Sequence, residues 1–315
     1  MIKKRSLKTL ATGLMLLGAS VMSASAATLY VTNFSSGQIL SLNTLTKATT
    51  VVATVGNNPD SIVFDSAGRI IYSVYNTGQV RVYNIGTATD SLLASGFSNF
   101  GTVDLALEPG GATVLLSDRG NSTLRRINVT TGATTNVGSV GAFSGLNGIA
   151  YDGSGNLYVA LGNNTVVQVN PSTGAVIRTS AAVPGGIDGM TYDSVSNKLW
   201  TLSGCLSSLD LATLTPSACV SGSTSGDGVV SDGAGSLYLA AGSVVQQYTI
   251  SSGVFSNVSN TISGLDDIAP ASGLGAPVAQ PSNTPVPSSL LLILVGMGIV
   301  ALFGAVRKVR ASAAV

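Results

Sequence analysis

A segment of about forty residues recurs six times between residues 29 and 270, and this repeat constrains the fold more than any other feature. The clearest copies are residues 146–160, 187–202 and 227–240. A pair of large residues marks the same place in every copy, at intervals of 38 to 43 residues: Leu29-Tyr30, Ile71-Tyr72, Val114-Leu115, Leu157-Tyr158, Leu199-Trp200 and Leu237-Tyr238. Repetition at this period, in segments too short for helices, predicts a radial array of β-sheet blades.

Each repeat contains short apolar segments separated by turns of a few residues. In the fourth copy the predicted strands are residues 149–152, 157–160, 166–170 and 175–180. Alternating apolar residues with such short connections are typical of antiparallel hairpins. Each unit is therefore predicted to be one four-stranded sheet.

The two ends of the repeat region are complementary. Residues 28–32 match the second strand of a unit, with no first strand before them, whereas residues 264–270 match a first strand with no second strand after it. Pairing of these ends would complete a sixth blade. We therefore predict an all-β, six-bladed propeller over residues 28–270. The alternative, an open solenoid, would leave two long unpaired sheet edges.

The N-terminal segment, residues 1–27, has the features of a secretory signal peptide. An apolar stretch at residues 10–22 precedes the small residues Ala24-Ser25-Ala26, which would form a cleavage site. The basic residues before it are Lys3, Lys4, Arg5 and Lys8. A transmembrane helix is the alternative, but this apolar stretch is short for one.

A different organisation is predicted after residue 270. Residues 271–289 form a linker rich in Pro, Ser, Gly and Ala, and residues 290–306 form an uncharged segment long enough to span a membrane. A basic tail, residues 307–315, follows. Its positive residues would hold that end in the cytoplasm: Arg307, Lys308 and Arg310. The propeller would then lie outside the inner membrane.

Two motifs in the repeats resemble known propeller families. Tyr30-Val31-Thr32-Asn33 resembles the signature of YVTN-type β-propeller repeats, and residues 148–160 are similar to NHL and gluconolactonase-like propellers. The resemblance implies the propeller fold over residues 28–270. It does not imply one activity, because these folds carry many functions.

The C-terminal region resembles a PEP-CTERM sorting signal, in which a Pro-rich motif precedes a hydrophobic helix and a basic cluster. The motif residues here are Pro285, Val286, Pro287, Ser288 and Ser289, with Val286 in the usual place of Glu. The resemblance implies a Gram-negative bacterium that makes extracellular polysaccharide, and processing by an exosortase-like enzyme. The protein would then reach the cell surface or the extracellular matrix. The alternative is a plain membrane anchor that is retained.

The central region is acidic. All 14 acidic residues fall within residues 28–270, together with eight of the 15 basic residues. Such a region is a poor candidate for binding nucleic acid. The adjacent Arg125 and Arg126 are interpreted as solvated surface, with contact to an anionic sugar as the alternative.

Several kinds of catalytic chemistry are excluded by composition. The chain has no His, which removes the commonest general base and metal ligand, and it has a single Glu.

Cys205 and Cys219 are the chain's two cysteines. An exported protein meets an oxidising compartment, where disulfides persist. A turn at residues 211–213 would place the third and fourth strands of the fifth unit so that position 205 faces position 219. We predict a structural disulfide. A redox-active pair is the alternative, but the spacing differs from Cys-x-x-Cys.

An acidic or amide residue recurs just before the innermost strand of the units. These residues are Asp60, Asn147, Asp188, Asp227 and Asp266, while the third unit has Val103 followed by Asp104. In a propeller they would ring one mouth of the central channel and could hold Ca²⁺. The gluconolactonase-like resemblance also implies a metal near this place. The favoured alternative is that these residues and the following glycines form tight turns with positive φ.

We predict a non-enzymatic surface propeller that binds or scaffolds a protein or polysaccharide, with no cofactor unless Ca²⁺ binds at the mouth. The first alternative is a metal-dependent, lactonase-like or lyase-like enzyme, and the second is a plain membrane-anchored periplasmic propeller.

Overall fold

A computed structural model describes residues 27–56, 58–99 and 101–270 of the chain. The predicted signal peptide up to residue 26, the linker with its sorting motif, the membrane span and the basic tail all lie outside the described residues. Within those residues, no helix has the length and apolar character needed to cross a lipid bilayer.

Apart from one short helical turn, the regular secondary structure of the described residues consists of β-strands. In chain order they are β1 (Thr28–Asn33), β2 (Gln38–Asn43), β3 (Thr49–Thr54), β4 (Pro59–Phe64), β5 (Ile70–Val74), β6 (Gln79–Asn84), β7 (Thr89–Ser95), β8 (Thr102–Leu107), β9 (Thr113–Asp118), β10 (Thr123–Asn128), β11 (Thr134–Val137), β12 (Ile149–Tyr151), β13 (Leu157–Ala160), β14 (Val166–Val169), β15 (Val176–Thr179), β16 (Gly189–Asp193), β17 (Lys198–Leu202), β18 (Ser207–Asp210), β19 (Val229–Ser231), β20 (Ser236–Ala241), β21 (Val244–Thr249), β22 (Val254–Asn257) and β23 (Leu265–Pro270). One turn of 3-10 helix, Arg119–Asn121, follows β9.

These strands form six antiparallel sheets, which are the blades of a propeller. Blade 1 has the strand order β23-β1-β2-β3, blade 2 has β4 to β7, and blade 3 has β8 to β11. Blade 4 has β12 to β15, blade 5 has β16 to β18, and blade 6 has β19 to β22. The first-named strand of each blade lines the central channel.

The predicted closure of the ring is confirmed. Strand β1 pairs antiparallel with β23, so that Tyr30 faces Ala269 and Val31 faces Ile268. A side-chain contact reinforces the pairing, because the Asp267 amide donates to the Thr32 hydroxyl at 2.8 Å. Strand β23 also contacts β4 of blade 2. The six-bladed, all-β architecture predicted from the repeat is therefore correct.

The apolar core is divided among the interfaces between blades. Each of six buried clusters lies between two neighbouring blades. Residues at the repeated aromatic positions fill these interfaces, as expected: Tyr72, Tyr151, Tyr158, Trp200 and Tyr238 are all buried. Each blade therefore depends on its neighbours for burial of both faces.

Blade 5 differs from the prediction because its fourth strand does not form. The segment after β18 makes one isolated bridge, in which Leu209 faces Pro216, and the Ser217 and Val220 amides donate to the Ser208 and Leu206 carbonyls. Pro216 has no amide hydrogen and cannot continue a hydrogen-bonded ladder. The predicted disulfide is nevertheless confirmed, since Cys205 and Cys219 are bonded with their Cα atoms 5.7 Å apart.

Arginines tie neighbouring blades together on the side of the outer turns. Arg69, Arg126 and Arg178 each donate to a backbone carbonyl in the turn that follows the third strand of the next blade. The acceptors are Val129, Pro171 and Leu211. Arg126 also pairs with Glu108 through its Nε and Nη2 atoms. Its neighbour Arg125 pairs with Asp118 at 3.0 Å. The interpretation of Arg125 and Arg126 as solvated surface is therefore wrong, because both are used internally.

Candidate functional site

The residues that precede the innermost strands converge at one end of the central channel. They surround a cavity of ≈ 260 Å³, which we call the channel mouth. All five residues predicted to ring it line this cavity: Asp60, Asn147, Asp188, Asp227 and Asp266. Val103 and Asp104 of blade 3 and Asp267 of blade 1 line it as well. The structure therefore brings the repeated acidic positions together in one concave site.

Three polar side chains, each one residue after a position of this ring, connect blades 1 to 4. The Asp267 carboxylate accepts the Ile62 amide at 3.1 Å, and the Ser61 hydroxyl accepts the Leu105 amide at 3.0 Å. The Asp104 carboxylate accepts the Ile149 amide at 2.6 Å. Each bond runs from an inner-strand amide to the preceding blade, so these side chains satisfy backbone donors that line the channel.

Glycine occupies the same position in blades 4, 5 and 6, and there the neighbouring backbones approach each other directly. A Cβ atom on Gly189 would lie 2.3 Å from the Asp227 carbonyl oxygen, and one on Gly228 would lie 2.8 Å from the Asp267 Cα atom. A Cβ atom on Gly148 would meet the Asp188 carbonyl at 3.0 Å. One half of the ring is thus bridged by side chains, and the other half by backbone in close contact.

This packing corrects the favoured interpretation of the Asx-Gly pairs as positive-φ turns. Among the described residues, positive φ occurs at other glycines and not at Gly148, Gly189 or Gly228. These glycines are required because the next inner strand leaves no room for a side chain.

The Asp266 carboxyl group lies within hydrogen-bonding reach of two other carboxyl groups of the mouth. Asp266 is next to both Asp60 and Asp227. One Asp266 oxygen, Oδ2, is buried and accepts no hydrogen bond from a donor in the described residues. Two carboxylates cannot hydrogen-bond to each other unless one keeps a proton.

Burial dominates the electrostatics of these acids. Burial, reinforced by the charge of Asp227, raises the pKa of Asp266 to about 8. Burial also raises the pKa of Asp267 to about 6. The pKa of Asp60 is raised well above its ordinary value by burial and by Asp266 and Asp267. With a pKa above neutrality, Asp266 retains its proton near neutral pH.

Asp104 shows that burial outweighs hydrogen bonding here. Three bonds, from the Ile149 amide, the Ser61 hydroxyl and its own neighbour Leu105, lower the pKa of Asp104. Burial and the charge of Asp267 raise this pKa by more, so the net shift is upward. The inner wall of the mouth is therefore a poorly solvated carboxyl cluster.

Asn147 and Asp188 have partners already. The Asn147 side-chain amide donates to the Ile187 carbonyl at 2.7 Å and to Asp188 Oδ1 at 3.3 Å. Asp188 Oδ2 accepts the Ser203 hydroxyl at 2.6 Å. These two residues brace the loops of blades 4 and 5. For the side chains of Asp60, Asp227 and Asp266, the described part of the chain provides no hydrogen-bond donor.

A second ring of residues surrounds the mouth, at the position directly after the second strand of each blade. Its members are Phe34, Tyr75, Arg119, Leu161, Ser203 and Gly242. The first three are large and line the cavity. Phe34 and Tyr75 pack edge to face with ring centroids 5.8 Å apart. This rim was not predicted from the sequence, although its six positions recur with the repeat.

Below the mouth, the channel becomes apolar. A cavity of ≈ 90 Å³ is lined by the innermost strands, with Ile62, Leu105 and Ile149 among its walls. Asp104, Gly189 and Asp267 line both cavities, so the two are continuous. A polar or charged ligand that enters the mouth would therefore meet the carboxyl groups before the apolar channel.

The carboxyl groups do not form a metal centre in this arrangement. Within residues 27–56, 58–99 and 101–270, no group of three or more His, Cys, Asp or Glu side chains is placed to hold a metal ion. Calcium binding at the mouth stays a prediction.

No protein-family model and no curated protein matches the sequence. Solved structures match the fold. A chain from the crystal structure of a nidogen/laminin complex aligns with a TM-score of 0.67 at 14% identity, covering 78% of this chain and 98% of that one. Virginiamycin B lyase from Staphylococcus aureus aligns with a TM-score of 0.57 at 12% identity, covering 78% of this chain and 88% of that one.

A second structure of the Staphylococcus aureus lyase, a catalytically inactive histidine-to-alanine variant with quinupristin, aligns with a TM-score of 0.50 at 15% identity, covering 64% of this chain and 70% of that one. At such low identities these similarities establish the fold and nothing further. The chain is a six-bladed β-propeller with an acidic cavity at one channel mouth.

Proposed function

We propose that this chain is an exported, non-enzymatic β-propeller that binds a partner of the cell envelope or matrix at its channel mouth. The acid-lined cavity at the end of a closed ring is the observation that carries this proposal. Loops held on a rigid ring give a preorganised concave surface, which is where propellers of this kind have room for a ligand.

A binding role is favoured over catalysis because the chain lacks common catalytic groups. It has no His, and the lyase to which it is structurally similar is described as catalytically inactive after a histidine is replaced by alanine. The single Glu, Glu108, is held in an ion pair with Arg126. A general base near neutral pH would have to be one of the mouth aspartates.

The similarity to a chain of a nidogen/laminin complex supports a protein partner, since that structure contains two proteins in complex. A polysaccharide is the other partner class that we keep. Export is supported by the disulfide, because such bonds persist in oxidising compartments. We propose that residues 1–27 direct export, and that an exosortase-like enzyme recognises residues 285–289 and removes the segment from residue 290 onward.

A site-specific cross-linking experiment tests the binding site. A photoreactive phenylalanine analogue replaces Tyr75 at the mouth in one variant, and Leu45, an exposed residue of the β2–β3 turn, in a control. Illumination of native cells should give a discrete adduct with the Tyr75 variant alone. Adducts at position 45 and none at position 75 would place the interaction elsewhere and refute the proposal.

The enzyme alternative has its own test. The purified chain is incubated with simple lactones and with a streptogramin B antibiotic, with Ca²⁺ or with EDTA. We expect no turnover in either condition. Turnover that depends on Ca²⁺ and disappears in the Asp266→Asn variant would show that the mouth is a catalytic site.

A further inference from the structure

At the channel mouth, one buried carboxyl oxygen has no hydrogen-bond donor among the described residues. Asp266 Oδ2 is buried without a donor in the described part of the chain, and its closest polar neighbours, Asp60 and Asp227, are also acids. Burial of such groups is costly unless each oxygen is satisfied. An ammonium group offers three donors, one positive charge and no acceptor, so it complements three adjacent carboxyl groups.

A metal ion fits this site less well. Calcium takes six to eight oxygen ligands in a converging arrangement. Asn147 and Asp188 already use their polar atoms in bonds to Ile187 and Ser203, and the described residues contain no metal-binding group of three or more. An organic cation needs only separate hydrogen bonds and places no such demand on geometry.

The rim supplies an apolar surface for the uncharged stem of the ligand, to which the charged group is attached. Phe34 and Tyr75 are partly buried and form an edge-to-face pair beside the acids. Aromatic rings attract cations and cover aliphatic chains. Arg119 stands on the same half of the rim and is exposed. It would repel a run of basic residues, so a single cation on an aliphatic stem is favoured.

The floor of the mouth sets the depth at which the charge stops. Below Asp104 and Asp267 the walls are apolar inner-strand residues such as Ile62, Leu105 and Ile149. A charged group gains nothing by passing into that channel. The apolar surface of Phe34 and Tyr75 suits the unbranched aliphatic stem of lysine better than the hydroxyl-bearing ring of an amino sugar.

We propose that the channel mouth receives a single lysine side chain of a partner protein, with its ammonium group among Asp60, Asp227 and Asp266 and its stem against Phe34 and Tyr75. This inference rests on the proposed function, because it names the chemistry of the partner at the same site. Binding releases the proton that Asp266 retains because of its raised pKa. The other charged or titratable groups that face the mouth are Asp104, Asp188, Asp267, Tyr75 and Arg119.

Binding of a small probe tests the inference on the purified full-length chain. The probe is Nα-acetyl-lysine amide, and its controls are the Nε-acetylated form and the norleucine analogue. Calorimetry should show saturable binding of the lysine probe, at least about tenfold weaker binding of both controls, and release of protons into the buffer. Affinity should rise between pH 6 and pH 9 as the carboxyl groups lose their protons.

Matched variants locate the site. Asp266→Asn should weaken the lysine probe about tenfold or more, whereas Asp210→Asn, at the exposed last residue of β18, should leave its affinity unchanged. Circular dichroism and a melting curve confirm that both variants fold. Equal binding of the lysine probe and its acetylated form, or equal affinity in wild type and Asp266→Asn, would overturn the inference.

Two further probes separate other ligands from lysine. Tighter binding of a glucosamine oligosaccharide, or displacement of the lysine probe by micromolar Ca²⁺, would overturn the inference in favour of an amino sugar or a metal. If no probe binds while the Tyr75 cross-linked adduct persists, the lysine inference fails and the proposed function stands. If neither is seen, both fail.

Discussion

Asp266 has the most unusual environment of any single residue in the described chain, because one of its buried oxygens has no donor and its neighbours are acids. Its proton is retained in the folded state and released in the unfolded state at any pH between about 4 and about 8. The folded state therefore binds more protons in this range, and stability must fall as pH rises through it.

The first prediction follows from that linkage. The melting temperature of the wild-type chain should fall between pH 6 and pH 9, and Asp266→Asn should flatten the dependence and raise stability at pH 9. Scanning fluorimetry at several pH values measures both slopes. Asp210→Asn is the control and should parallel the wild type. Parallel curves for wild type and Asp266→Asn would contradict the raised pKa.

Asp104 leads to a second prediction at the residue scale. Asp104→Ala removes the acceptor for the Ile149 amide and for the Ser61 hydroxyl, and leaves these buried donors unsatisfied. We expect a loss of about 2–4 kcal/mol in the free energy of unfolding. Asp188→Ala, at an exposed position of the same mouth, should cost less than about 1 kcal/mol. Urea denaturation compares the two, and equal losses would show that the Ile149 bond has no special role.

The sequence predicted some of these residues because they recur at one position of the repeat. Asp60, Asp188, Asp227 and Asp266 share that position, and the structure places them together. The sequence did not predict that Asp104 and Asp267 accept backbone amides of the next blade, because these bonds join residues of different repeats. The repeat reveals which positions are equivalent but not which neighbour each side chain reaches.

At the scale of single elements, the innermost strands depend on glycine where blades 4, 5 and 6 meet their neighbours. Gly189 begins β16, and its α-carbon faces the carbonyl of Asp227 in the next blade. Sequence reasoning interpreted this glycine as a turn residue because Asx-Gly pairs usually are. The short distance between adjacent blades shows that this position requires glycine because a side chain has no room there, and not because of its φ angle.

The third prediction tests this packing. In Gly189→Ala the new Cβ atom would lie 2.3 Å from the Asp227 carbonyl oxygen, so two inner strands must separate. We expect a loss of about 1–3 kcal/mol in unfolding free energy, which chemical denaturation measures. Gly86→Ala is the control, since its Cβ atom would meet the end of the Asn84 side chain at 3.4 Å. A Gly189→Ala protein as stable as Gly86→Ala would refute close packing at this interface.

Blade 5 shows where prediction of elements failed. Its third strand was expected to pair with a regular fourth strand, but the ladder is irregular at Pro216. Beyond that residue the segment is held by two backbone hydrogen bonds, from Ser217 and Val220, and by the Cys219 disulfide. The disulfide was predictable because only two cysteines exist and both fall in one unit. The missing strand follows from a single residue that lacks an amide hydrogen.

For the whole molecule, ring closure is the feature on which the arrangement of the mouth depends. Asp266 and Asp267 belong to β23, which is joined to β1 and contacts β4. Closure was predictable because the two ends of the repeat region carry complementary half-units. The shape of the mouth was not, since it depends on which side chain of each blade faces the axis once the ring has formed.

The fourth prediction concerns this closure. A chain that ends at Ser263 lacks β23 and should lose its cooperative melting transition and aggregate, because it exposes the edges of β1 and β4. A chain that ends at Pro270 keeps β23 and should melt cooperatively. Calorimetry and size-exclusion chromatography compare the two. A cooperative, monomeric chain ending at Ser263 would show that the ring is stable while open.

The strand that completes blade 1 is also the last of the described strands to be synthesised. Thr32 meets Asp267 across a sequence separation of 235 residues, so the first strand has no inner partner until almost the whole described chain has emerged. Contacts this distant in sequence slow folding and prolong exposure of unpaired strands. A nascent chain would therefore remain incomplete throughout most of its synthesis, and its final assembly would be a late event that begins at its C-terminal end.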